Sequence, residues 1–171
     1  MPRETSSAAN PDSVAAYTRP DLIIPRLQAS DPAGIIKELS HQLRAQNVIG
    51  EVLAFYHAAL NHDLLNNPAL PAGFAIPHAR SAQVGRLAFA LGRTRQPVLW
   101  GVRRNWAVDQ VFLIAVPATN AREYLALLSG IAGLARQPDM LAGLRAAADA
   151  SSIFERLNEI HLRAGRKTEF A

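Results

Sequence analysis

Large apolar side chains are sparse before Pro20 and frequent after it. Residues 1–20 are rich in Ser, Ala, Asn and Pro, a composition that predicts a flexible N-terminal tail. Leu22, Ile23, Ile24 and Leu27 follow, interrupted by Pro25. A proline cannot donate to a central ladder, so this group reads as an edge or irregular strand. Asp31-Pro32 has the form of a helix start, with a side-chain acceptor before a proline at the first helical position. Ile35, Ile36, Leu39 and Leu43 then recur near every 3.6 residues and predict an amphipathic helix. A second helix is expected from Asn47 or Val48, with Val52, Phe55, Tyr56 and Leu60 on its buried side, although Gly50 weakens its start. Residues 61–73 contain Pro68 and Pro71 and read as a stiff loop.

The apolar run Phe74-Ala75-Ile76 leads into Pro77, which keeps Ile76 extended. Three strands are predicted after it, near 86–91, 97–102 and 108–116. The last, Val111-Phe112-Leu113-Ile114-Ala115-Val116, has no polar alternation and suits a central strand buried on both faces. Helical spacing returns over 121–135, with Leu125, Leu128, Ile131 and Leu134 on one stripe, and again over 140–148 and 152–163. Helices, then strands, then helices imply an α/β (α+β) domain of two or three layers. The expected division is a tail over 1–20, one folded domain over 21–165 and a short C-terminal tail over 166–171.

Composition narrows the chemistry. A chain of 171 residues without cysteine has no disulfide, thiolate nucleophile or cysteine-bound zinc. The beginning of the chain has no signal-peptide core, and no run is long and apolar enough for a membrane helix. The expectation is a cytoplasmic protein without membrane insertion. The net charge of +4 is uneven: no acidic side chain lies between Asp63 and Asp109, whereas Arg80, Arg86, Arg93, Arg95, Arg103 and Arg104 do. If several share a face with His78, the local field favours phosphate or an acidic protein surface. Neither finger spacing nor interleaved basic and aromatic residues supports nucleic-acid binding.

His78 and Arg80 stand two positions apart just beyond the apolar run. Histidine is a usable nucleophile near neutral pH, provided that one ring nitrogen is held by an acceptor and the other is left free. A phosphohistidine would further need donors for the phosphoryl oxygens. Arg80 offers a forked guanidinium, and amides around Gly73 offer a nest. From the residues alone, His78 reads first as a surface or helix-capping histidine, ahead of both a reactive and another polar binding role. His57, His62, Asp63 and His78 have no recognised metal-ligand spacing, and no cofactor motif is present. Glu123 reads as a favourable charge at a helix start.

Three ordered segments, 73–80, 97–101 and 108–117, together resemble the type-2 IIA domains of the bacterial phosphoenolpyruvate-dependent phosphotransferase system. These include the fructose/mannitol domains and the nitrogen-regulatory IIA protein, and the likeness extends from about Leu22 to Leu162. It implies a mixed sheet flanked by helices, with His78 accepting a phosphoryl group from HPr or its nitrogen-branch relative at a shallow docking depression. The absence of a IIB or membrane segment favours the regulatory branch, in which target proteins are bound according to phosphorylation state. The chain departs from the family pattern in three places. His62 stands where an arginine is usual, before Asp63. Pro68 and Pro71 interrupt a Gly/Ser/Thr-rich turn. Tyr124 stands where a second histidine is usual. The implied site is therefore His78, Arg80, Tyr124 and His62. The implied activity is that of a histidine phosphocarrier, with a nonphosphorylated IIA-like interaction module as the alternative. The target, the oligomeric state and whether the chain is an enzyme in its own right stay open.

Overall fold

The computed structural model describes residues 8–102, 105–119 and 122–163. Its centre is a mixed six-stranded sheet. The strands are β1 (Ile23–Ile24), β2 (Ala69–Leu70), β3 (Phe74–Ala75), β4 (His78–Ser81), β5 (Ala88–Trp100) and β6 (Trp106–Pro117). The order is β1-β5-β6-β3-β2, with β4 also paired to β6. β5 and β6 are antiparallel, whereas β1 runs parallel to β5, and β3 and β4 run parallel to β6.

α1 (Pro32–Ala45) and α2 (Val52–Asn66) cover one face; α3 (Arg122–Ala132), α4 (Pro138–Ala146) and α5 (Ala150–Leu157) cover the other. Two apolar cores result, one on each side of the sheet. Alternation along β6 divides them: Val111, Leu113 and Ala115 face α1 and α2, while Phe112, Ile114 and Val116 face the other three helices. Burial on both sides explains why this strand carries an unbroken apolar run. The expected mixed sheet flanked by helices is the observed architecture.

Asp31 caps α1 as its sequence implies, accepting from the Gly34 amide at 2.6 Å. α2 starts later than expected. Asn47 adopts a left-handed conformation, φ 59°, and Glu51 caps the helix instead, accepting from the Ala54 amide. The helix then continues through residues expected in a loop, as far as Asn66. Its buried stripe is Phe55, Ala59 and Asp63, with Tyr56 and Leu60 only partly covered.

The two strands expected over 86–91 and 97–102 are a single strand, β5, with a register shift between Arg93 and Val98. Pro97 lies inside that irregularity. A residue without an amide hydrogen is tolerated there because the ladder is already interrupted.

The expected loose tail does not persist to Pro20. A short 3-10 helix, Val14–Tyr17, fully buries Val14 and Ala15. The Val14 amide donates to the Ile160 carbonyl at 2.9 Å, and the Thr18 hydroxyl donates to the Phe89 carbonyl at 2.8 Å. One valine and one alanine are too few to register in a composition reading, yet they fill the core beside α3 and α5. Of the stripe expected over 121–135, Ile131 and Leu134 are buried and Leu128 is partly buried, whereas Leu125 is half-exposed and Leu127 is buried in its stead. The last helix ends at Leu157, short of the expected Arg163. Arg103, Arg104 and the tail expected over 166–171 lie outside the described residues.

Candidate functional site

His78 lies just beyond the end of β3, as expected, and itself opens β4. Pro77 separates β3 from β4, and both pair in parallel with β6, so the chain bends at the proline and resumes on the same neighbour. His78 pairs with Ile114 near the carboxyl end of β6. Ala79 points into the core under α1 and α2, which turns His78 and Arg80 to the opposite side of the strand. At this sheet edge the two helical layers meet. α2 brings the His62 ring to 4.1 Å from that of His78, centroid to centroid, and α3 brings the Tyr124 ring to 5.5 Å.

The His78 ring is oriented by its own backbone. Nδ1 lies 2.9 Å from the Ile76 carbonyl oxygen. Because a carbonyl can only accept, Nδ1 carries the hydrogen and donates, which leaves Nε2 with its lone pair. Burial lowers the basicity of His78; the Ile76 hydrogen bond opposes this, and the neighbouring His62 adds to it. Burial also lowers the basicity of His62. Both rings are therefore neutral at physiological pH, and Nε2 of His78 is available as a nucleophile. His62 Nδ1 is buried without a hydrogen-bond partner. Burial raises the Tyr124 pKa, against the opposing charge of Arg80, so the phenol keeps its hydrogen and remains a donor.

The structure thus brings His62, His78 and Tyr124 into one cluster. Arg80, exposed on the same side of β4, completes it with the only formal charge among the four. Two sequence expectations are corrected. The Gly73 nest is not at the site: the Gly73 amide is used by the Leu70 carbonyl at 3.0 Å. Moreover, Phe74 pairs with Gln110 whereas His78 pairs with Ile114, four residues or roughly 13 Å along β6. Nor do Arg86, Arg93 and Arg95 share one face with His78. Arg93 and Arg95 lie on β5 by the concavity under α4. Arg86 reaches back towards the Gln46 carbonyl.

Asp63 turns away from the site into the core, where Trp100 Nε1 donates to its Oδ1 at 2.8 Å. With Asp63 so engaged and the His57 ring tilted against that of Tyr56, the four groups weighed as metal ligands do not converge. Among the described residues no cluster of three such groups is present.

The family model for the phosphoenolpyruvate-dependent sugar phosphotransferase system, EIIA 2, matches residues 16–160. The chain belongs to this EIIA family. A nitrogen regulatory protein of Bradyrhizobium diazoefficiens is 28% identical over 136 residues, which are 79% of this EIIA chain and 88% of that protein. The crystal structure of nitrogen regulatory protein IIA-Ntr from Neisseria meningitidis has the same fold, with a TM-score of 0.76 at 23% identity over 84% of this chain and 98% of that one. The IIA of the Escherichia coli complex between enzyme IIA mannitol and phosphorylated enzyme IIB mannitol also shares it, with a TM-score of 0.68 at 15% identity over 81% and 95% of the two chains. No helix of the described residues is long and apolar enough to cross a membrane.

Two groups that shape this cluster and its surroundings in the EIIA chain are not legible in the sequence. The Ile76 carbonyl, which fixes the tautomer of His78, is a backbone group without a residue signature; only Pro77, by keeping Ile76 extended, hinted at it. Trp100, which draws Asp63 inward, lies 37 residues away in sequence. A buried tryptophan needs an acceptor for its N–H, so the one acidic residue on the apolar stripe of α2 was the available signal.

Proposed function

We propose that this EIIA domain accepts a phosphoryl group on His78 from an HPr-like phosphohistidine protein in the cytoplasm and acts on target proteins according to its phosphorylation state. The observation that carries this reading is the Nδ1–H of His78 held on the Ile76 carbonyl, with Nε2 free on a half-buried ring. In the transfer, the Nε2 lone pair attacks phosphorus as the donor's P–N bond breaks, and the donor imidazole leaves with that electron pair. Nδ1 keeps its hydrogen, and the Ile76 carbonyl then faces the cation formed by the phosphorylated ring. Phosphoryl transfer needs mainly positioning and charge stabilisation. Arg80 supplies the charge and the Tyr124 hydroxyl a neutral donor. The regulatory branch is supported by the relative named a nitrogen regulatory protein, most of whose length this chain covers.

The test is incubation of the chain with phosphoenolpyruvate, enzyme I and HPr or its nitrogen-branch counterpart, read by intact mass. A single acid-labile phosphoryl adduct is the expected result. Tyr124→Phe keeps the ring and removes the donor, so its initial rate of phosphorylation should fall by about two- to tenfold, the value of one hydrogen bond. An unchanged rate would remove Tyr124 from the site.

One observation favours a second reading, a nonphosphorylated interaction module. The ring over His78 is a neutral imidazole, His62, where the family resemblance implies a guanidinium. Absence of any adduct with a demonstrably phosphorylated cognate donor would select this reading.

A further inference from the structure

Arg93 on β5 and Gln110 on β6 are direct antiparallel partners, about four residues along β6 from the strand position facing His78. Arg93 reaches under the end of α4, where Nη1 donates to the carbonyls of Leu144, Arg145 and Ala147. Arg145 forks onto Asp109, with Nε to Oδ2 at 2.7 Å and Nη2 to Oδ1 at 3.1 Å. A concavity of about 260 Å³ opens here, lined by Arg26, Arg93, Arg95, Arg145, Asp109 and Gln110. Its charge is unbalanced. The one carboxylate among these residues is already held by Arg145, while Arg26 lies near enough to Arg93 for their charges to repel.

Gln110 sharpens the picture. It is 1% exposed, and neither its amide nitrogen nor its amide oxygen has a hydrogen-bond partner. A buried polar atom left unsatisfied destabilises the fold, and an apolar residue would fill the same place on a core-facing strand without that cost. The amide atoms are closed to solvent as the side chain stands; turned into the arginine-rich concavity that Gln110 lines, the carboxamide offers a donor and an acceptor side by side, the pattern that reads a base or amide edge. Guanidinium groups match phosphate oxygens in geometry as well as charge. The volume lies just under the range of ordinary ligand pockets, which sets the size at a mononucleotide or smaller.

We propose that this concavity is a binding site for a small phosphate ester, its phosphate held by Arg26, Arg93 and Arg95 and its polar body by the Gln110 carboxamide. The site is separate from His78 and independent of whether His78 is phosphorylated.

Titration calorimetry of the full chain with adenosine 5′-monophosphate, uridine 5′-monophosphate, ribose 5-phosphate and inorganic phosphate tests it. At least one ester should bind more tightly than inorganic phosphate, and the two nucleotides against the sugar phosphate distinguish a base edge from a hydroxyl as the partner of Gln110. The double variant Arg26→Ala/Arg95→Ala should weaken binding by more than about tenfold, as expected when charge-assisted contacts are lost. Gln110→Leu should weaken it several-fold while the chain unfolds at an unchanged or higher urea concentration. Binding should persist in His78→Ala. Absence of binding by all four probes overturns the proposal. So does equal binding of inorganic phosphate and esters that is indifferent to Gln110→Leu, since that marks an adventitious anion only. A marked loss of stability in Gln110→Leu without ligand would show that the carboxamide is satisfied within the fold, by bound water or otherwise, and would equally overturn it.

Discussion

Alanine at position 78 is expected to abolish phosphorylation completely, and in the unsubstituted protein the phosphoryl group is expected on Nε2. The first outcome follows from the absence of a second nucleophile of the same kind in the cluster. His62 shares the cluster, but its Nδ1 is buried without a partner, so no acceptor fixes its tautomer as the Ile76 carbonyl fixes that of His78. The second follows from geometry: Nδ1 of His78 is occupied by the carbonyl at 2.9 Å, and phosphorylation there would break that bond and leave the carbonyl without its donor. Intact mass of His78→Ala after incubation with the phosphorylated donor reads the loss. Proton–nitrogen correlation spectra of the phosphorylated protein read the linkage. Retained labelling in His78→Ala would move the acceptor to another residue, and an Nδ1 linkage would show that the Ile76 bond is not kept in the reactive state.

The same site carries a pH expectation of definite sign. Burial lowers the basicity of His78 below that of an ordinary histidine, so the nucleophilic form persists as pH falls through the ordinary range near 6.5. The rate of phosphorylation should therefore hold its plateau to lower pH than a solvent-exposed histidine would allow.

How much of this was legible in the sequence depends on the reach of each interaction. Asp31-Pro32 announced α1 because a cap is a local device, decided within four residues. The run from Val111 to Val116 announced a central strand because its burial on both faces leaves no polar position. Ile76-Pro77-His78 marked the site because proline restricts its predecessor whatever the fold does. The errors arose where distant partners decide. Pro97 reads locally as the opening of a new strand, whereas β6, running alongside, carries β5 through the irregularity. Val14 and Ala15 were read as part of a loose tail because the residues that bury them lie in α3, α5 and the end of the chain. The site's membership was harder still. No periodicity unites His62, His78 and Tyr124, which come from two helices and an edge strand; only the family resemblance put them together before the geometry did. In the sequence Asp63 enters only among the groups weighed as metal ligands and as the residue after His62, and its inward turn towards Trp100 is not visible.

That inward turn underlies the second large effect: Asp63→Asn is expected to stabilise the protein at neutral pH by about 1–3 kcal/mol. Asp63 is 7% exposed, and burial raises its pKa from 3.8 to about 6, opposed only in part by the hydrogen bond from Trp100. Between those values the folded chain holds a proton that the unfolded chain has released. Stability from this group is therefore full below about pH 4 and is lost as pH rises through 6. At pH 7 the folded protein holds a buried carboxylate, and a shift of this size corresponds to at most about 3 kcal/mol, at roughly 1.4 kcal/mol per unit. Asparagine keeps an oxygen for the Trp100 N–H and cannot ionise, so it removes the penalty while preserving the bond. Asp63→Ala should act in the opposite direction, because it leaves the buried indole N–H unsatisfied, at a cost of about 1–3 kcal/mol. Urea unfolding at pH 7 and at pH 4.5 separates these effects. The midpoint of Asp63→Asn should exceed that of the unsubstituted chain at pH 7, and most of that difference should be gone at pH 4.5. His62 and His78 contribute in the opposite sense, since their depressed pKa values favour the folded state as pH rises towards 6.5. Both proteins share that contribution, and it cancels in their difference. A midpoint difference that is the same at both pH values would show that Asp63 does not titrate near 6. It would also mean that the carboxylate is satisfied by more than the tryptophan.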